Sequence, residues 1–451
     1  MNFYFCNLLR KPVITRSISL VLLTTASLSA HTSQSQIIPK NDPNLGAYLC
    51  DILIYDAQLG GRISRENAAA EQFEQARALS RPTVDLFARS TSFETMAFGD
   101  SGFGAGSSSL TGGAVASLPL YRSGGNKASR SAAAARLDAT KQGTNIVRQE
   151  LLKSGVDAYL NILLQQAILD IQEANVTALK TQEVSAQARF DIGRATRTDI
   201  DQALASLRSA EAALISAKQI KQNAEINFQR LFAQLPKGIT NPKLNRLGVS
   251  TVEQLIDLSL RENPAVLEQK FLSLAAQEDV NIRRSDRGLR SDIELRYQQT
   301  RKISGSTFNS DGASLGISFT LPLISGGTLK SRERESRALA NEQVNKGLDL
   351  ARTVSAQAHI SWGNLAAAKR RVSLVNEQQE AAAKAFKGAI EEQRLGRRVT
   401  FEVLNIQNTL ITSRLSAARA NIELIRAQIE IAQLTGQIEK LVPGMNPCPA
   451  L

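Results

Sequence analysis

No proline occurs between Leu120 and Leu235, or between Leu323 and Val442, in this chain of 451 residues. Proline removes a backbone donor and clashes inside a helix, so two long proline-free stretches predict long helices. Asn126 to Ile192 alone is 67 residues, about 100 Å of helix at a rise of 1.5 Å per residue. Such a helix outgrows any globular core. Each stretch is interrupted near a glycine, Gly193 or Gly396, and a second helix is expected from about Asp199 or Glu402. Each half therefore reads as a very long helical hairpin.

The two halves are copies. Leu118-Pro119-Leu120 and Leu321-Pro322-Leu323 lie 203 residues apart (321 minus 118), and each precedes a Ser-Gly-Gly. The same shift sets Phe190-Asp191-Ile192-Gly193 on Gln393-Arg394-Leu395-Gly396 and Tyr159 on Trp362, which argues for duplication. Ala203, Leu207, Ala210, Leu214, Ala217, Lys221, Ala224 and Phe228 step alternately by four and three. Their shifted counterparts are Ile406, Leu410, Ser413, Ala417, Ala420, Leu424, Ala427 and Ile431. An Ala-rich repeat near 3.5 residues specifies closely packed coiled-coil seams, or the core of an ordinary bundle.

A different period precedes each hairpin. Ile293, Leu295 and Tyr297 alternate with Asp292, Glu294, Arg296 and Gln298; Leu315, Ile317, Phe319, Leu321 and Leu323 alternate with small or polar residues. Period two predicts strands. The first half offers weaker versions, Val84, Leu86 and Ala88, then Ala114, Ala116, Leu118 and Leu120. Gly/Ser-rich loops, about Phe93 to Thr111 and Ile303 to Ala313, join each pair. Such strands suit a transmembrane β-barrel or a small sheet packed on the helices, but four strands cannot close a barrel, so a membrane role requires association.

Arg10, Lys11 and Arg16 precede an apolar run from Ile18 to Leu28 and the small residues Ser29 and Ala30, which reads as a secretory signal cleaved near Ser29 or Ala30. The expected organisation is a signal over 1–30, a first repeat over 31–236, a linker over 237–251, a second repeat over 252–440 and a tail over 441–451. The formal charge of +12, from 54 Lys+Arg against 42 Asp+Glu, is scattered along helical stretches and reads as solvated faces, with no nucleic-acid partner expected. Two His, three Cys and one Trp leave little from which to build a metal centre or a His-based catalytic site. Gly102 to Gly106 lacks the Gly-Lys-Ser/Thr end of a phosphate loop, and His359 reads as a helix-packing residue. No enzyme activity and no cofactor are expected.

Taken with the junctions and Asn263-Pro264, the segments Gly193-Arg194-Ala195-Thr196-Arg197-Thr198-Asp199-Ile200 and Gly396-Arg397-Arg398-Val399-Thr400-Phe401-Glu402-Val403-Leu404-Asn405 give the chain its resemblance to the TolC family of outer-membrane channels. It covers about residues 45 to 440 and is nearer the type I secretion branch. The resemblance implies a mainly α fold with a small β part. Duplicated hairpins form a coiled-coil α-barrel in the periplasm, and four strands per protomer contribute to a trimeric twelve-stranded transmembrane β-barrel. It implies a homotrimeric exit duct in the outer membrane of a Gram-negative bacterium, in contact with outer-membrane lipid. The duct would dock onto a periplasmic adaptor and an inner-membrane ABC transporter for type I secretion, or onto a proton-driven pump for drug efflux. A periplasmic coiled-coil adaptor or scaffold is the remaining reading.

The same resemblance assigns roles at the hairpin tips. Thr198 and Asp199 fall at the link-forming tip of the first hairpin, Arg398 at its basic partner, and Glu402 at a ring of acids. Gln393 stands where a tyrosine often joins the links, and Asn405 where a second acid is common. Gly193, Arg194, Leu395, Gly396 and Arg397 would meet the adaptor. Asp199 and Glu402 also suit helix N-termini on electrostatic grounds alone, whereas Arg397 and Arg398 do not, so other groups must hold them. Gly60-Gly61 lies near where a second Asn-Pro is expected, with a first helix at about Ile52 to Leu79. No lipid anchor is expected. After signal removal Cys50 and Cys448 remain, and the family's arrangement brings both terminal segments to the equator of the helical barrel. A Cys50–Cys448 disulfide is the expectation, against free thiols or a bridge between protomers.

Overall fold

The computed structural model describes residues 44–93, 107–304, 308–445 and 448. The expected signal and the Gly102 to Gly106 segment lie outside the described residues. The elements run α1 Leu45–Tyr55, α2 Ala57–Ala78, β1 Thr83–Phe93, β2 Ser107–Tyr121, α3 Gly125–Asp191 and α4 Arg197–Phe232. They continue with α5 Val252–Glu262, α6 Pro264–Ser285, β3 Arg290–Ser304, β4 Ser310–Thr320, α7 Thr328–Arg394, α8 Thr400–Leu434 and a short α9 Ile438–Leu441. Both long helices are 67 residues, and no described helix is long and apolar enough to cross a membrane.

The repeat is more regular than one offset conveys. From α1 to β1 the copies are 207 residues apart (252 minus 45); from the start of α3 onward they are 203 apart (328 minus 125). The change falls between the strands of each pair. It corrects the reading of the first helix: the counterpart of Asn263 is Asp56 rather than Gly60-Gly61, and two helices stand where one was expected from Ile52. Asp56 accepts the Leu59 amide through Oδ1 at 2.8 Å, as Asn263 accepts that of Ala265 at 2.9 Å. Each residue ends one helix with its extended backbone and caps the next with its side chain.

Four antiparallel strands form one sheet in the order β1-β2-β3-β4. Register aligns their apolar residues into rows: Val84, Ala116, Leu295 and Leu315 in one, Leu118, Ile293 and Ile317 in the next, and Tyr121 and Phe319 either side of Ser291 nearest the helices. Leu86 and Leu315 are 84% and 69% exposed, so this face is open. β1 and β4 each have a free edge within the protomer. The strands run further into the Gly/Ser-rich segments than expected, to Ser107, Ser304 and Ser310. Backbone pairing is indifferent to small side chains there, and the Thr111 and Thr300 hydroxyls bond across the sheet at 3.1 Å.

The turn from sheet to helix repeats as Ser123-Gly124 and Gly326-Gly327, with φ of 84° at both Gly124 and Gly327. In the first copy it packs so closely on the α6–β3 turn that a Cβ on Gly288 would collide with Ser123. Arg122 Nη1 donates to Asp292 Oδ2 at 2.9 Å across the same corner.

The main core lies at the equator, where α1, α3, α4, α8 and the C-terminal segment meet. Tyr48, Leu49, Ile52, Leu152, Val156, Tyr159, Leu160 and Phe228 are essentially inaccessible there. Two tyrosines hold the linker to this core. The Tyr48 hydroxyl donates to Lys237 O at 2.9 Å and accepts from Lys237 N at 3.0 Å; Tyr159 does the same with Thr240 at 2.8 and 3.1 Å. The seam expected in α4 is buried at Ala203, Leu207, Ala210, Ala217, Ala224 and Phe228. In α8 the seam starts at Val403 and Gln407 rather than Ile406, which is half-buried. His359, expected to pack, is exposed in the protomer, because α5 covers the Ala358 and Trp362 side of α7 instead.

Cys50 and Cys448 are joined in a disulfide with their Cα atoms 5.5 Å apart. The tail it anchors lies against α1, since a Cβ on Gly46 would stand 2.5 Å from Pro443 O. Closing so long a loop stabilises mainly through the unfolded chain, by about 2–4 kcal/mol. Cys50→Ser and wild type in reductant are expected to share a lowered unfolding midpoint, read by circular dichroism in detergent. A midpoint unchanged by both would show that the bridge contributes nothing to stability.

Candidate functional site

Both long helices close with the same local chemistry. Arg194 N donates to Arg189 O at 2.7 Å and Gly193 N to Phe190 O at 2.8 Å; Arg397 N donates to Glu392 O at 2.9 Å and Gly396 N to Gln393 O at 3.0 Å. This six-to-one and five-to-two pairing needs a left-handed residue after the helix. Gly193 and Gly396 supply it at φ 74° and 73°. Gly193, Arg194, Gly396 and Leu395 are exposed at the extreme tips, with Leu395 68% exposed, and Arg397 is exposed beside them.

The next helices start differently. Thr196 caps α4: Asp199 N donates to Thr196 Oγ1 at 3.2 Å, and Thr196 N donates back to Asp199 Oδ2 at 2.9 Å. That reciprocal cap starts the helix at Arg197 rather than Asp199. α8 follows Val399 with no side-chain cap. Buried Thr400 in its first turn accepts from Arg189 Nη2 of the other hairpin at 3.5 Å.

Asp199 thus faces Thr196, Thr400 and Arg189. Its carboxyl is held below the ordinary carboxylate range, first by the Thr196 backbone amide, with help from both threonine hydroxyls and the Arg189 charge. Burial lowers the Arg189 guanidinium, against the pull of Asp199. Thr198 is exposed beside this group.

Among the described residues no ion pair joins Asp199 to Arg398. Arg398 Nε instead meets Glu392 Oε2 at 2.7 Å, and its Nη1 meets Glu402 Oε2 at 3.4 Å. Those two acids hold the cation that a helix N-terminus disfavours. Gln393 is buried and its Nε2 finds no acceptor among the described residues. Asn405 is exposed and lines an open cavity of about 610 Å³ between the hairpins, where Gln172, Asn175 and Gln407 stand among apolar residues such as Leu404 and Ile411. Gln407 Nε2 donates to Asn175 Oδ1 across it at 3.0 Å.

Sequence reasoning named Asp199, Arg398 and Glu402 but missed Arg189, Thr196, Thr400 and Glu392. The 203-residue shift sets Arg189 on Glu392 while Asp199 falls on another acid, Glu402, and the inversion of charge at 189 and 392 was the signal available. Among the described residues, no cluster of three or more His, Cys, Asp or Glu could hold a metal ion.

The profile of a family described as outer membrane efflux protein matches residues 53–234 and 255–437. BepC of Brucella suis, an outer membrane efflux protein, is 29% identical over 311 residues, covering 68% of each chain. AprF of Pseudomonas aeruginosa, an alkaline protease secretion protein, is 23% identical over 307 residues, covering 65% of this chain and somewhat under two thirds, 62%, of its own length. A crystal structure of CusC superposes with a TM-score of 0.79 at 15% identity, covering 87% of this chain and 92% of that one. That likeness carries the fold: paired long hairpins with a small sheet. With the profile spanning both hairpins and both strand pairs, the chain belongs to the outer membrane efflux protein family, the TolC family of outer-membrane channels.

Proposed function

We propose that three copies of this chain assemble into a continuous duct through the outer membrane and the periplasm. The observation that carries the reading is the sheet: its apolar rows are exposed on one face and both edge strands are unpaired. A lipid-facing sheet cannot leave its edges open. Pairing β4 of one copy with β1 of the next closes a twelve-stranded barrel and places the hairpins, about 100 Å long, in a ring beneath it. The tips then form the entrance, where a periplasmic adaptor docks on Gly193, Arg194, Leu395, Gly396 and Arg397. The duct moves substrate without chemistry of its own.

The finer reading is type I secretion, with an ABC transporter in the inner membrane, and AprF's name as an alkaline protease secretion protein supports it. Drug efflux driven by a proton-coupled pump is the second reading, supported by BepC's name. Deleting the gene separates them: loss of a secreted protein from culture supernatant marks the first, and hypersensitivity to small toxic compounds with secretion intact marks the second. The duct itself is tested by fractionation and gels. A heat-modifiable trimer in outer-membrane fractions is expected, and a soluble monomer would overturn the assembly.

Glu402 supplies a further test. Its side chain is 52% exposed and engaged with Arg398, and a ring of three would favour cations at the entrance. Glu402→Gln should reduce cation preference in planar bilayers. Reversal potentials that stay the same in a salt gradient would remove Glu402 from the selectivity ring.

A further inference from the structure

We propose that cations gathered where the sheet meets the long helices form a collar that holds anionic glycerophospholipid headgroups in the leaflet nearest the helices. This rests on the reading that the apolar sheet face meets lipid. On that face Tyr121 and Phe319 form the row nearest the helices. Beyond Phe319, Leu323 and Ile324 are 85% and 95% exposed.

Six residues after Tyr121 stands Lys127, and six after Ile324 stands Lys330; the two lysines are themselves related by the 203-residue shift (330 minus 127). Arg130, Arg332 and Arg334 follow within two helical turns. All five cations are exposed, and none makes an ion pair among the described residues. The first turns of α3 and α7 carry no acid, although helix N-termini favour acids and disfavour cations. Glu333 does not neutralise the group. It is buried and already held by Arg287 at 2.8 Å, Arg337 at 2.6 Å and Arg284 at 3.6 Å. Glu335 is the remaining acid in these turns of α7.

Along both copies exposed apolar residues, an aromatic among them, give way to unpaired cations. That is the order of environments from hydrocarbon through the interface to the headgroups. An anionic surface supplies the charge these side chains lack, and it does so at both copies of the junction at once. Phosphatidylglycerol has the required chemistry; phosphatidylcholine presents the same phosphate without net charge.

The test uses the full-length protein in detergent, titrated with phosphatidylglycerol or phosphatidylcholine, with retained lipid counted by native mass spectrometry. Wild type should retain phosphatidylglycerol in preference, and the preference should fall about fivefold for each cation removed among Lys127→Gln, Lys330→Gln, Arg332→Gln and Arg334→Gln. Arg301→Gln with Lys302→Gln, at the far end of β3, should change nothing. High salt should erase the preference of wild type, a measurement that stands even where a variant folds poorly. Equal retention of both lipids by wild type, or a preference lost only in the Arg301 and Lys302 variant, would overturn the collar. Flotation with pure phosphatidylcholine vesicles separates the two readings: protein that fails to float has no membrane face at all, whereas protein that floats without preferring phosphatidylglycerol loses only the collar.

Discussion

Tyr48→Ala should cost the protomer about 3–5 kcal/mol, the range for truncating a fully buried aromatic side chain. The ring is 1% exposed and packs against Phe228, Phe232 and Tyr159, with centroids 5.1, 5.5 and 6.0 Å away. Burial raises its phenol above the ordinary value, so the hydroxyl stays protonated and keeps donating to Lys237 O. Tyr48→Phe isolates that part: it leaves the packing but strips a donor and an acceptor from Lys237, at about 1–3 kcal/mol. Denaturant unfolding in detergent, followed by helical circular dichroism, should rank wild type above Phe and Phe above Ala. If the alanine variant unfolds at the wild-type midpoint, the equatorial core does not govern stability.

The second large effect is expected at the tips. Asp199→Ala leaves Thr196 capping α4 but removes the return bond of the reciprocal cap, from Thr196 N to the Asp199 carboxylate, and also the carboxylate that faces Thr400 and Arg189 of the protomer's own tips. The hairpins lose a contact that holds their tips together, and, if the proposed duct is entered there, single-channel conductance should rise severalfold. Acid should act in the same direction. The folded-state value of Asp199 lies below its unfolded value, so its stabilisation is complete at neutral pH. It is lost as pH falls from the ordinary carboxylate range, about 4, through the lowered folded value. Wild-type conductance should therefore climb toward that of the alanine variant in acid, while the variant responds less. Records in which Asp199→Ala and wild type conduct equally would take this residue out of the closure.

The hairpins were legible because their signals are local and repeated. Proline absence, the glycines at 193 and 396 and the stepping of Ala203, Leu207 and Ala210 each report on nearest neighbours along a helix. The break at Asp56 was misplaced because aspartate and asparagine cap equally well, whereas only the second copy adds proline to mark the spot. The strands ran longer than their patterns because a ladder extends through serine and glycine without side-chain periodicity. At the tips the acids and Arg398 were legible as types, but not their partners. Glu392 lies six residues before Arg398, and Thr400 lies 211 residues from Arg189. Only the fold brings such pairs together.

The tyrosine clamps on the linker carry a mechanical consequence. Tyr159 and Gly193 are 34 residues apart on α3 (193 minus 159), a lever about 50 Å long. Turning that lever by about 5° at its clamped end swings the free end through about 4 Å, the width of a side chain. The spacing of the tips can thus be reset by core substitutions that never approach them. A Cβ on Gly155 would stand 2.7 Å from Leu49 Cδ2, so Gly155→Ala is expected to tilt the arm at its fulcrum.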